Sequence, residues 1–155
     1  MIKIYTDGSA NKKSCGCAIV VFDEEDNYIY HNAWYCQDST NNKEEIKAIL
    51  AAYGYLACTD ETSDCIIYSD SAYCVNMINE WIDNWQARGW CKYDGKEIKN
   101  LELVKALYNF KHRFPNAKVY KVEGHANNLG NELADAFATN NQKKIDRFDK
   151  VKKFL

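Results

Sequence analysis

The spacing of apolar residues changes along the chain from a two-residue period to a helical one. Residues 2–6 alternate and end at Thr6-Asp7-Gly8-Ser9, which predicts a strand closed by a turn. Further strands are predicted at 17–22 and at about 28–36, joined by a turn at 23–27. Short connections of this kind join antiparallel neighbours, so we expect the first three strands to form a meander.

A helical period begins after residue 42. Apolar residues recur there on one helix face: Ile46, Ile49, Leu50, Tyr53 and Leu56. Asn42-x-x-Glu45 matches a capping box at the start of this helix. Two later strands are predicted, a short apolar run at 65–68 that is typical of a strand buried on both faces, and 118–122. Later helices are predicted at 71–80, from Asn100 to Pro115, and at 131–142.

The predicted order β-β-β-α-β-α-α-β-α indicates an α/β fold. We expect a mixed five-stranded sheet, with three antiparallel strands followed by parallel strands, flanked by helices. The helix between the third and fourth strands implies a right-handed crossover. Residues 1–142 are interpreted as one domain and residues 143–155 as a basic C-terminal tail.

Composition agrees with one ordered domain. The chain has 155 residues, of which 46% are hydrophobic and 27% charged. It lacks an apolar run long enough for a signal peptide or a membrane span, so we expect a cytoplasmic protein with no membrane association. The seven cysteines are odd in number and include no C-x-x-C pair, which favours reduced and mostly buried thiols.

The charge is distributed unevenly. A net charge of −2 argues weakly against a nucleic-acid partner. However, residues 86–100 carry a net charge of +2 and residues 143–155 a net charge of +4, which leaves −8 for the rest of the chain. A carboxylate-rich metal site is one use for such concentrated acidic charge.

Four carboxylates are placed where they could converge. Asp7 and Asp70 each follow a predicted strand, at the edge where open α/β sheets bind ligands. Glu45 lies in the first turn of the helix that leads to the fourth strand, and Asp135 lies in the last helix. Because such charges repel one another, they favour a divalent cation with oxygen ligands, Mg²⁺ or Mn²⁺. Two such ions form the clamp used in phosphoryl transfer.

Each of these residues also has a simpler interpretation. Asp7 could belong to an ordinary turn, and Glu45 could complete the capping box with Asn42. Asp70 could cap the helix that follows it, and Asp135 could complement a helix dipole from the first turn. His125 could be a loop residue without a task. Taken singly the simpler interpretations are favoured, and only the joint placement of the residues favours a metal site.

Five segments, in this order, resemble type 1 ribonuclease H (ribonuclease HI), over about residues 2–142. They are Tyr5-Thr6-Asp7-Gly8-Ser9, Thr40-Asn41-Asn42-Lys43-Glu44-Glu45, Tyr68-Ser69-Asp70-Ser71, Trp81-x-x-x-Trp85-x-x-x-Gly89-Trp90, and Gly124-His125 with Gly130-Asn131-Glu132-Leu133-Ala134-Asp135. The resemblance implies an RNase H-like fold and endonucleolytic hydrolysis of the RNA strand of RNA–DNA hybrids. It also implies two Mg²⁺ ions, with Mn²⁺ as substitute, and products with 5′-phosphate and 3′-hydroxyl ends.

The resemblance also implies roles for individual residues. Asp7, Glu45, Asp70 and Asp135 match the metal carboxylates, and His125 matches a mobile-loop histidine associated with proton transfer or product release. Substrate contacts are implied for Asn11, Thr40, Asn41, Asn42 and Trp81, and for a protruding basic handle (residues 86–100) with Arg88, Lys92, Lys96 and Lys99. For Trp85 and Trp90, packing in the core is the favoured interpretation.

Three functions stay open on sequence grounds. The leading hypothesis is a free-standing, monomeric nuclease that acts on RNA–DNA hybrids. The alternatives are a non-catalytic nucleic-acid-binding module with the same fold and the nuclease domain of a reverse transcriptase. The basic tail is either a terminal helix docked through Phe148, Val151, Phe154 and Leu155 or a supplementary phosphate-binding arm.

Overall fold

A computed structural model describes residues 1–122 and 128–152, with side chains described up to residue 147. Its centre is one five-stranded sheet with the strand order β3-β2-β1-β4-β5. The strands are β1 (Ile2–Ala10), β2 (Cys15–Phe22), β3 (Tyr28–Cys36), β4 (Cys65–Ser69) and β5 (Ala117–Lys121). The first three strands pair antiparallel, whereas β4 pairs parallel to both β1 and β5. The predicted fold class is therefore confirmed.

Helices cover both faces of the sheet. They are α1 (Asn41–Cys58), α2 (Ala72–Asn76), α3 (Ile82–Ala87), α4 (Leu101–Arg113), α5 (Leu129–Ala138) and α6 (Gln142–Lys152), with a π-helical turn (Met77–Trp81) between α2 and α3. On one face, residues of α1 and α4 such as Tyr53 and Leu107 pack with Ile4 and Ile67 in the larger apolar cluster. On the other face, Leu133 and Phe137 of α5 form a smaller cluster with Ala18 and Val20.

Burial on both faces explains the composition of β2. Its eight residues are all buried, because Ile19 and Val21 point into the larger cluster while Ala18 and Val20 point into the smaller one. Each fully buried aliphatic side chain contributes about 1.5–3 kcal/mol relative to an exposed one. This strand therefore packs against the helices on both faces of the sheet and pairs with β1.

Two predicted boundaries near the acidic residues were wrong. The strand β1 does not end at residue 6 but extends to Ala10, because its ladder with β2 continues through Asp7↔Ala18 to Ala10↔Cys15. The helix α1 is capped by Thr40, whose hydroxyl accepts a hydrogen bond from the Lys43 backbone N–H at 3.2 Å. Asn42 lies inside the helix, so the predicted capping box does not form.

The predicted helix at 71–80 continues through a π-helical turn into α3. The turn is defined by a hydrogen bond from the Ile82 N–H to the Met77 carbonyl. The neighbouring carbonyl of Ile78 accepts a hydrogen bond from the Lys111 ammonium at 2.8 Å. Asn79 donates its side-chain amide to the Val119 carbonyl at 2.9 Å. Partners on α4 and β5 therefore stabilise a wide turn that the local pattern of apolar residues does not show.

Two further features of the fold are the state of the cysteines and the length and polarity of the helices. All seven cysteines lie in the described part of the chain and are free, as the sequence predicts. Within residues 1–122 and 128–152, the helices are too short or too polar to cross a membrane.

Candidate active site

Asp7 and Asp70 lie side by side because β1 and β4 are parallel neighbours. Their ladder ends at Tyr5↔Tyr68, and the same register two residues further places Asp7 opposite Asp70. The Thr6 hydroxyl donates to the Tyr68 carbonyl at 2.8 Å and ties the strands together where the ladder stops. Asp70 follows β4 directly, as predicted, whereas Asp7 lies within β1.

Glu45 reaches this pair from α1. Carboxylate oxygens of Asp7, Glu45 and Asp70 all lie within 4.8 Å of one another. We call these three residues the acidic cluster. Asp7 and Glu45 are buried, with 5% and 8% of their surface exposed, whereas Asp70 faces solvent. The site is therefore closed on the protein side and open towards a ligand.

Gly8 lets α1 approach β1 this closely. A Cβ atom on Gly8 would lie 2.2 Å from the Glu44 carbonyl carbon and 2.3 Å from the Glu45 nitrogen. The contact is reinforced at the end of the strand, where the Asn41 side-chain oxygen accepts a hydrogen bond from the Ala10 N–H at 2.7 Å. The local sequence predicts a turn at Gly8, but this glycine lies in β1 and lets the start of the helix lie directly against the strand.

Replacing Gly8 by Ala should therefore destabilise the protein and disable the site. The new methyl group meets backbone rather than a flexible side chain, so the strand and helix must separate, at a cost of about 1–3 kcal/mol or more. Separation also moves Glu45 away from Asp7. We expect a lower urea midpoint and a large loss of cleavage even at temperatures where the variant is folded.

Gly54→Ala provides the matched control. Gly54 lies in the middle of the same helix, and a Cβ atom there would have no neighbour within 4 Å. This change should stabilise the protein by about 0.5–1 kcal/mol and leave activity unchanged. Equal stability and activity of the Gly8→Ala variant and the wild type would show that close approach of α1 is not required.

The acidic cluster is electrostatically unfavourable without a cation. Burial, then the charge of Asp70, raises the pKa of Asp7 to about 7. Burial, then the charges of Asp7 and Asp70, raises the pKa of Glu45 to about 10. The Glu45 Oε2 atom is buried and has no hydrogen-bond partner among the described residues. A divalent cation would supply the missing partner, so the residues fit a metal site of hard oxygen donors.

Asp135 lies beside the acidic cluster rather than within its 4.8 Å group. Its charge raises the pKa of Asp7 and of Asp70, in both cases after burial, the larger cause. Its carboxylate accepts a hydrogen bond from the Lys144 ammonium at 3.3 Å. Asp135 is thus close enough to act on the other carboxylates electrostatically, and it already has a cationic partner.

The simpler interpretations of Asp70 and Asp135 do not hold. The residue that caps α2 is Ser71, whose hydroxyl accepts a hydrogen bond from the Cys74 N–H at 3.2 Å. Asp135 is the seventh residue of α5 and not in its first turn, and Asn128 caps that helix. His125 lies outside the described residues.

Three of the residues predicted to contact substrate have structural tasks in this protein. Thr40, Asn41 and Asn42 are all exposed at the start of α1. Thr40 is the helix cap, and Asn41 uses its side-chain oxygen to bind β1. Asn11 accepts hydrogen bonds from the Lys13 and Ser14 N–H groups, so its side-chain oxygen closes the turn after β1.

A groove lined mainly by aromatic side chains, which we call the Trp81 groove, borders the basic handle. It is lined by Tyr73, Trp81, Trp85, Lys92, Tyr93 and Asp94. The Trp81 ring packs between Tyr73 and Trp85, with ring centroids 5.6 and 6.0 Å apart. Tyr73, three residues after Asp70, lines this groove and is not among the residues predicted from the sequence.

Trp85 and Trp90 pack as the sequence interpretation predicts. Trp85 is buried in the larger cluster and Trp90 packs against it, so both are core residues.

In the handle, the Arg88 guanidinium lies 5.7 Å from the ring centre of the exposed Tyr93. Lys96 is 3.7 Å from Asp94 in an ion pair, which reduces the positive charge available to a ligand.

Comparisons with known proteins agree with this geometry. Residues 1–143 match the sequence profile of the RNase H family. The chain is 33% identical over 141 residues to a ribonuclease H of Caldicellulosiruptor saccharolyticus, covering 88% of this chain and 92% of that protein. It is 38% identical over 138 residues to a ribonuclease H of Francisella tularensis subsp. novicida, covering 86% of each.

A solved structure shares the fold. The foamy viral protease-reverse transcriptase in complex with an RNA/DNA hybrid aligns with a TM-score of 0.80 at 24% identity, over 90% of this chain and 19% of that longer chain. The profile match and the two relatives confirm the resemblance seen in the sequence motifs. The chain belongs to the RNase H family.

Proposed function

We propose that this chain hydrolyses the RNA strand of RNA–DNA hybrids, with Mg²⁺, or Mn²⁺ in its place, held by Asp7, Glu45 and Asp70 and completed by Asp135. The observation that carries the proposal is the acidic cluster itself, three carboxylates within 4.8 Å with one buried oxygen unpaired. A module that only binds nucleic acid would gain nothing from such charge beside phosphates, because negative charge opposes duplex binding. The relatives named ribonuclease H support the same activity.

The proposed hydrolysis depends on divalent ions and on the carboxylates that would hold them. A bound pair of divalent ions would lower the pKa of the attacking water and neutralise charge on the leaving oxygen. Water adds to phosphorus and the bond to the 3′ oxygen breaks, leaving 5′-phosphate and 3′-hydroxyl ends. Asp7 and Glu45 form a rigid inner wall on β1 and α1, and the exposed Asp70 faces the substrate side.

Recognition of the RNA strand is assigned to the start of α1. Asn41 lies four residues before Glu45, so both face the same side of the helix, one turn apart. Polar side chains in a shallow minor groove can sense the 2′-hydroxyl, and a helix N-terminus attracts phosphate. The Trp81 groove and the basic handle then face the DNA strand. The hybrid bound by the foamy viral enzyme supports such a partner.

Strand-selective cleavage tests the proposal. An RNA–DNA hybrid with labelled RNA is incubated with the protein in Mg²⁺ or in EDTA, beside single-stranded RNA, double-stranded RNA and double-stranded DNA. We expect cleavage of the RNA strand of the hybrid only, only with the ion present, and leaving 5′-phosphate ends. Absence of hybrid cleavage, or cleavage unaffected by EDTA, would overturn the proposal.

Salt dependence measures how much the handle contributes to binding. Each phosphate neutralised by a Lys or Arg changes the slope of log affinity against log salt by about 0.9. Lys92 lines the Trp81 groove, so replacing it by Ala should flatten the slope of log affinity against log salt by about 0.9. Binding is measured in Ca²⁺, which suppresses cleavage. Lys3→Ala is the control, since Lys3 pairs with Asp26 near the start of β1, away from Asp7. Identical slopes for all three proteins would remove Lys92 from the interface.

His125 carries the remaining catalytic prediction. As a general acid or base it would contribute roughly 10²-fold, so His125→Ala should slow turnover by that factor without abolishing it. Single-turnover cleavage at saturating enzyme measures this directly. An unchanged rate would return His125 to the interpretation of a loop residue without a task.

A further inference from the structure

The junction between α5 and α6 has a defined geometry. Asn140 adopts a left-handed conformation with φ of 52°. The Asn141 N–H donates to the Ala136 carbonyl at 2.8 Å, and the Asn140 N–H donates to the Phe137 carbonyl at 3.2 Å, which together end α5 in a Schellman-type turn. The Asn141 side-chain oxygen then accepts a hydrogen bond from the Lys144 N–H at 3.3 Å and caps α6.

One apolar contact fixes the orientation of α6. Ile145 packs against the smaller apolar cluster, which includes Leu133 and Phe137 of α5. With the junction and Ile145 both held, the first turn of α6 directs Lys144 back along α5. Its ammonium lies 3.3 Å from the Asp135 Oδ2 atom. The side chains of Lys144 and Asp135 are 52% and 45% exposed, so the contact stays accessible from solvent.

This contact places the Lys144 ammonium, a cation supplied by the chain itself, on Asp135, the fourth carboxylate of the proposed metal site. Asp135 also acts on Asp7 and Asp70, so its charge belongs to the same electrostatic unit. The match to the RNase H profile covers residues 1–143, so Lys144 lies just beyond the matched residues. We infer that Lys144 is a competing counter-ion: its ammonium pairs with Asp135 in the metal-free enzyme and is replaced by a divalent ion when the site fills. This inference rests on the proposed metal site.

Competition of this kind weakens binding of the ion that uses Asp135. A half-exposed ion pair contributes about 0.2–1 kcal/mol, and that energy is lost when the ion replaces Lys144. Removing the ammonium should therefore tighten binding at that position by about 1.4- to fivefold. The ion held by Asp7, Glu45 and Asp70 should be affected much less, because the Lys144 ammonium is paired with Asp135.

Mn²⁺ binding in the absence of nucleic acid tests the inference without reference to activity. Free Mn²⁺ is counted by electron paramagnetic resonance during titration of the full chain. Lys144→Gln, which removes the charge but keeps much of the side chain, is compared with the wild type. Lys143→Gln is the matched control, since it removes the same charge from the neighbouring exposed position. Both changes are repeated in an Asp135→Asn background, and circular dichroism verifies folding.

We expect Lys144→Gln to tighten the weaker Mn²⁺ site by about 1.4- to fivefold, Lys143→Gln to match the wild type, and the effect to vanish with Asp135→Asn. Equal effects of Lys144→Gln and Lys143→Gln, or an effect that persists with Asp135→Asn, would overturn the inference while leaving the metal site intact. Absence of Mn²⁺ binding in the wild type and in every variant would overturn the proposed metal site and the inference with it.

Discussion

Replacing Asp70 by Asn should reduce hybrid cleavage at least about a thousandfold, which corresponds to about 4 kcal/mol of transition-state stabilisation. The amide keeps the shape of the side chain but is a weaker ligand for a hard cation than a carboxylate. Folding should be preserved, because Asp70 is exposed and Ser71, not Asp70, caps the following helix. Single-turnover cleavage and thermal melting of the same preparation measure the two effects.

Asp64→Asn is the matched control for this change. Asp64 and Asp70 flank the same strand, β4, and both are exposed, but Asp64 lies at the opposite end from the acidic cluster. The control should cleave at the rate of the wild type. Wild-type-like turnover of the Asp70→Asn protein at millimolar Mg²⁺ would contradict the metal assignment.

Replacing Asp7 by Asn should stabilise the metal-free protein at pH 8 by about 1–3 kcal/mol while abolishing cleavage. Burial and the charge of Asp70 raise the pKa of Asp7 to about 7 in the folded protein. In the unfolded chain the group titrates near its ordinary value of about 3.9. The folded state thus binds more protons than the unfolded state between these values, so the free energy of unfolding falls as pH rises across that range.

Glu45 extends the same effect to higher pH. Its pKa of about 10, raised by burial and then by Asp7 and Asp70, keeps its ionisation unfavourable to folding throughout the neutral range. Urea unfolding in EDTA should therefore show a larger stabilisation by Asp7→Asn at pH 8 than at pH 5, and little at pH 3.5. Saturating Mn²⁺ should favour the wild type instead, since an ion that binds only the folded wild type stabilises it by mass action.

Asp38→Asn, a change at an exposed position outside the acidic cluster, serves as control and should alter stability little at any of these pH values. Equal or lower stability of the Asp7→Asn protein at pH 8 in EDTA would show that the acidic cluster is not strained by its charge.

The sheet and helices could be predicted because hydrophobic periodicity reports which faces are buried. The exact position of Asp7 could not, because the length of β1 depends on its ladder with β2 rather than on its own apolar residues. The sequence around Gly8 is typical of a turn, and its close contact with the α1 backbone cannot be recognised from the neighbouring residues. Thr40 and Asn42 are both good caps, and only the three-dimensional structure distinguishes them.

The acidic cluster was predictable in part. The crossover predicts that β4 runs parallel to β1 but not that the two strands are neighbours, and the observed pairing brings Asp7 to Asp70. The Lys144 contact was not predictable, because it depends on the reversal at Asn140 and on the docking of Ile145. The described contact of the tail with the smaller apolar cluster is made by Ile145, whereas the side chains of Phe148, Val151, Phe154 and Leu155 lie outside the described residues. Cytoplasmic location and a monomeric state stay predictions.

Diffraction from crystals grown with Mn²⁺, recorded at the manganese absorption edge, tests the central claim most directly, namely that Asp7, Glu45 and Asp70 form one divalent metal site. The account predicts an anomalous peak with oxygen atoms of all three carboxylates within about 2.5 Å, and loss of that peak in the Asp70→Asn protein. A peak bound elsewhere, or no peak between these carboxylates at saturating Mn²⁺, would contradict it.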